Sequence, residues 1–154
     1  MLIFKVMHIL SMVTMITIFS GGEFFYAFAI WRRDVRALAT IHRLEKQSRA
    51  PIVGIAALFA GVVFGLLTAA TGGMDFFQGW LIAAYVLVAV FLINANTLGL
   101  RLIKLADKAI EADEGKRPAE EVVRDMAASK AGLFFILNAA IFAAIIVDMV
   151  LKPF

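Results

Sequence analysis

The sequence predicts an all-α fold, a four-transmembrane-helix bundle with a charged cytoplasmic helical hairpin between helices three and four. Three observations predict it. Apolar residues make up 62% of the 154-residue chain and charged residues 18%, whereas a soluble domain lies nearer half and a quarter. Four apolar stretches, Leu2–Trp31, Ile52–Ala70, Phe76–Leu100 and Ala131–Leu151, each supply the roughly 20 residues a helix needs to cross ~30 Å of hydrocarbon. They mostly lack the polar face of a soluble core helix. Lysine and arginine are also confined: thirteen of the fifteen fall in two connections, and the loop Thr71–Asp75 carries none. Positive-inside bias therefore predicts both basic connections in the cytoplasm and both termini on the other side.

The chain has room for one domain, 1–154, with helices at about 2–31, 51–71, 76–113 and 118–152. The first stretch is too long for a signal peptide, lacks a small-residue cleavage site and ends in Trp31-Arg32-Arg33, so it reads as a retained helix. After it, Val35, Leu38, Ile41 and Leu44 recur at spacing three among bases. This pattern suits a helix in the headgroup layer, or equally a solvated linker helix. Pro51 fits the first turn of helix two. That helix carries Ala57-x-x-x-Gly61-x-x-x-Gly65, a small-residue stripe that lets backbones approach, within the bundle or between two copies as a homodimer. Helix three continues past the membrane and ends near Gly115-Lys116-Arg117-Pro118. Pro118 with Glu120 and Glu121 starts the next helix, which feeds helix four. The segment 101–130 is a surface that could meet a membrane-protein partner.

Ionisable side chains at membrane depth are costly and mark function by default. At 100° per residue, His8, Met12, Met15, Gly22 and Tyr26 share one arc of helix one, with Ser11 and Glu23 at its edges. Glu23 lies ~22 Å along the axis from His8, so the two cannot touch. Matching depths expects Asp148 at the level of His8, where a carboxylate would orient the imidazole. It expects Asn94, Asn96 and Asn138 near Glu23, as an inner polar cluster. Lys152 reads as a solvated helix end, and His42, in the basic helix, lies across the membrane from His8.

The chain contains no cysteine, which excludes disulfides, thiolate metal sites and thiol nucleophiles. A zinc-type His/Glu pair at helical spacing, a phosphate-binding glycine loop and a Ser/His/Asp set with supporting context are also missing, so soluble-enzyme chemistry is not expected. Topology accounts for the basic residues without invoking nucleic acid.

The opening Phe4-Lys5-Val6-Met7-His8-Ile9-Leu10-Ser11, followed by Gly21-Gly22-Glu23-Phe24-Phe25 and Arg32-Arg33, resembles that of a group of small bacterial membrane proteins. The group includes uncharacterised predicted integral membrane proteins, copper-resistance-D-type membrane domains and HemJ-type protoporphyrinogen oxidases. The resemblance implies the bacterial inner membrane and possible haem b, with His8 as axial metal ligand and Met12, Met15, Gly22 and Glu23 on the cofactor face. Its copper branch implies His8 and nearby methionines as soft ligands. Three readings follow: a haem-b redox or tetrapyrrole protein, a non-enzymatic scaffold or accessory subunit, and copper or proton translocation through Glu23.

Overall fold

The computed structural model describes residues 2–151, so Lys152 lies outside the described residues. Among the described residues seven α-helices build two layers: α1 (Leu2–Arg32), α2 (Val35–Gln47), α3 (Ala50–Thr71), α4 (Gly79–Asn94), α5 (Leu100–Asp113), α6 (Ala119–Ala128) and α7 (Ala131–Leu151). A π-helical turn, Ala95–Gly99, joins α4 to α5. Four helical spans are long and apolar enough to cross a membrane: α1, α3, the run Gly79–Asp113 and α7. Their outer faces expose Val13, Phe28, Phe59, Val63, Ile93 and Ile136, as helices solvated by lipid do.

The helices of the membrane layer pack through one apolar cluster. Met15 of α1, Leu58 of α3, Phe91 of α4 and Ile141, Phe142 and Ile145 of α7 meet at mid-height. The pairing of α1 with α3 is the tightest, and the small-residue stripe is the reason. A Cβ added at Gly61 would lie 2.7 Å from the Met12 sulfur, and one at Gly65 would lie 3.0 Å from His8 Nδ1. Side chains of α1 sit on Gly61 and Gly65, so of the two roles expected for the stripe the structure uses it for packing within the chain.

The second layer is made by α2, α5 and α6. At about 46 Å, α1 is longer than the hydrocarbon is thick, so its last turns run on into this layer. Ala29 and Ile30 pack there with Leu38, Leu105, Ala106, Ala109, Val122 and Met126. Arg33, at φ 55°, takes the left-handed conformation that reverses the chain after α1. Asp34 then caps α2 by accepting from Ala37 N at 2.8 Å. Part of the apolar stripe of α2 is covered by protein: Leu38 is fully buried and Val35 and Ile41 pack against the same cluster, while Leu44 stays 61% exposed. Spacing alone shows that such a face needs cover, not which surface covers it.

Two boundaries differ from the pattern. The start of the third span moves from 76 to Gly79 because Asp75 organises a turn, accepting from Phe77 N at 2.9 Å. The run expected to be continuous from 118 breaks at Ser129, whose extended backbone and hydroxyl bond to Met126 O (2.7 Å) end α6. The break lets the chain turn from the second layer into the membrane layer.

Candidate functional site

Polar side chains at the junction of the two layers form two hydrogen-bonded arrays. The first lies inside the bundle. Asn94 Nδ2 donates to Asn138 Oδ1 at 2.6 Å, and Asn138 Nδ2 donates in turn to Glu23 Oε1. Asn138 is wholly buried and Asn94 nearly so. The π-helical turn beginning at Ala95 follows Asn94 directly; such widened turns change the phasing of the helix face. Asn96, which depth alone would group with Glu23, is exposed and bonds to Leu92 O of its own helix.

The second array begins at Tyr26, one turn further along α1 from Glu23. The Tyr26 hydroxyl donates to Glu45 Oε2 and lies 2.6 Å from His42 Nδ1. His42 Nε2 lies 3.1 Å from Asp107 Oδ1, and Lys46 Nζ donates to the same oxygen at 2.5 Å. His42 is 3% exposed, at a point where α1, α2 and α5 meet. His42 Nδ1, 3.6 Å from Glu45 Oε2, together with the Tyr26 hydroxyl holds the Glu45 carboxyl below its ordinary range against the opposing effect of burial. Two proton placements satisfy the array. With the Tyr26 hydroxyl donating to Glu45, Nδ1–H donates to the Tyr26 oxygen and Nε2–H to Asp107. With the hydroxyl donating to Nδ1, only Nε2 carries hydrogen and Glu45 is released. Sequence reasoning passed over His42 because its helix read as a membrane-surface or solvated element. The one available signal was a histidine on the apolar side of an otherwise basic amphipathic pattern.

The expected outer site is arranged differently. His8 Nδ1 lies 2.7 Å from the carbonyl oxygen of Gly61, so the ring is turned towards α3. Asp148 does not pair with it: no hydrogen bond or ion pair joins them among the described residues, and Asp148 Oδ2 is buried without a partner. Register explains this. The Glu23–Asn138 contact sets α1 against α7 so that Asp148 is level with Val13, about 7 Å along the axis from His8. Met15 is 1% exposed within the mid-height apolar cluster. The Met12 sulfur faces Gly61, and a Cβ at Gly22 would meet nothing within 4 Å. His8 Nε2 is left as a candidate donor, its ring oriented through Nδ1 as in metal-binding histidines. No group of three His, Asp or Glu able to hold a metal ion occurs among the described residues.

A family model described as "predicted integral membrane protein", DUF2269, matches residues 2–153. No curated protein and no solved structure matches the chain significantly.

Proposed function

The chain belongs to the DUF2269 family of predicted integral membrane proteins, and from that premise we propose that it is a proton-handling protein of the bacterial inner membrane with Glu23 as the embedded acceptor. One observation carries the reading: the Asn94–Asn138–Glu23 array lies one helical turn from the Tyr26–His42–Glu45–Asp107 array. Neighbours at that spacing have Cβ atoms about 5–6 Å apart, a gap that one water spans. Glu45 and Asp107 are partly exposed, so the route ends at water. Lysine and arginine placement supports a cytoplasmic second layer, with both termini on the far side.

The amide groups of Asn94 and Asn138 hold Glu23 in place, and Tyr26 and His42 pass the proton between the carboxyl and the exposed acids. The apolar layer of Met15, Leu58, Phe91 and Phe142 lies beyond Glu23 and prevents an open path. Asp148, with its unpartnered oxygen, is the next acceptor past it. The test uses proteoliposomes with an interior pH dye and an applied potential. Glu23→Gln is expected to slow proton entry on the order of a hundredfold at unchanged helicity. Equal rates in both proteins, or wild-type entry no faster than in protein-free vesicles, would overturn the proposal.

A second reading is haem b on His8. The Nδ1 contact with Gly61 O at 2.7 Å favours it, because it leaves Nε2 as the donor. Haem held by His8 would supply one-electron chemistry. Protein made with haem supplied is then expected to show a Soret band that His8→Ala removes. A colourless wild-type preparation would end this reading and leave the proton reading untouched.

A further inference from the structure

A groove of about 460 Å³ opens between α5 and the α6–α7 junction. Leu98, Leu102 and Leu105 form its apolar wall, while Arg101, Lys104 and Lys130 reach it from two sides. Four other bases of this layer are committed to acids: Arg43 to Asp113, Lys46 to Asp107, Lys116 to Glu114, and Arg117 to Glu111 and Glu121. Arg101, Lys104 and Lys130 have no acid partner among the described residues. The one carboxylate in the groove, Asp125, is neutralised by Lys108 Nζ at 2.6 Å. The groove thus holds three uncompensated positive charges.

We infer that this groove binds the headgroup of an anionic phospholipid, with the phosphate held by Arg101, Lys104 and Lys130 and the glycerol end against Leu98 and Leu102. Charge complementarity selects an anion, since three clustered cations repel each other until one binds. The surroundings select one with hydrocarbon attached. Leu98, Leu102 and Leu105 line the groove beside the cations and give it an apolar rim, as a site for a headgroup with its chains attached would need. A free phosphate would use the cations and leave that apolar rim uncovered. Positive-inside bias alone places bases near the membrane but does not gather three unpaired ones around one cavity. The inference stands apart from the proton and haem readings.

The test is lipid retention by the full-length, detergent-purified chain, read by native mass spectrometry after incubation with phosphatidylglycerol or phosphatidylcholine. Wild type is expected to retain phosphatidylglycerol preferentially. Removing all three charges with Arg101→Gln, Lys104→Gln and Lys130→Gln should weaken that retention on the order of a hundredfold. Lys104→Gln alone should weaken it about fivefold, which keeps the test valid if the triple variant misfolds. A charge-matched control, Arg33→Gln with Arg36→Gln and Arg49→Gln, should retain the lipid. Equal loss in the control, no preference between the two lipids, or displacement of the lipid by inorganic phosphate would overturn the inference.

Discussion

His42→Ala is expected to destabilise the protein by about 2–4 kcal/mol, lowering its apparent melting temperature in detergent by roughly 5–15 °C. The ring is 3% exposed, so truncation leaves a cavity where three helices meet. It also leaves Asp107 with Lys46 as its remaining partner among the described residues, and loosens Tyr26 from α2. His42→Leu restores volume without the hydrogen bonds, and its smaller loss would separate packing from bonding. Acidity gives a further signature. Because Glu45 titrates below its ordinary value in the folded protein, its stabilisation is complete above the unfolded pKa and is lost as pH falls through the folded one. Without His42, the chief cause of that shift, the acid-side loss of stability should become shallower. An alanine variant that melts with the wild type would remove His42 from any structural role.

Asn138→Leu carries the second large effect, a loss of about 1–3 kcal/mol. Asn138 is 0% exposed and bonds at both ends, accepting from Asn94 and donating to Glu23. Leucine has similar bulk, so the cost comes from two polar groups left without partners in apolar surroundings rather than from a void. A double-mutant cycle with Glu23→Leu isolates the direct bond, since removing both partners strands only the Asn94 amide. The coupling is expected to be about 0.5–2 kcal/mol. Additive losses would show that Asn138 and Glu23 act independently and would weaken the proton route with them.

Much of the architecture was legible because it rests on local, additive quantities. The length of an apolar run decides whether a helix can span, and Leu2–Trp31 or Ile52–Ala70 needs no tertiary information to be read. Pro51 at the start of α3 and the acids at the start of α6 act within one helical turn, so they too were visible. The break at Ser129 was not, because a serine inside a helical pattern ends it only when its neighbours need the chain to turn.

The sites divide along the same line. Ranking Glu23, Asn94 and Asn138 by depth needs only 1.5 Å per residue, and the structure links the three through Asn138. Choosing between partners at one depth needs rotation and register, which is why Asn96 turned outwards and why Asp148 and His8 do not meet. The glycine stripe announced a close approach without naming its occupant, and α1 took the place. His42 shows the limit most clearly: its burial depends on α2 folding against α5, and the contact with Asp107 joins residues 65 apart in the chain. By itself, then, the sequence determined which segments enter lipid and the sidedness to expect, because hydrophobic transfer and charge asymmetry add up residue by residue. Only the tertiary structure decided which polar atoms meet, because a hydrogen bond depends on ångström-scale placement that composition does not encode.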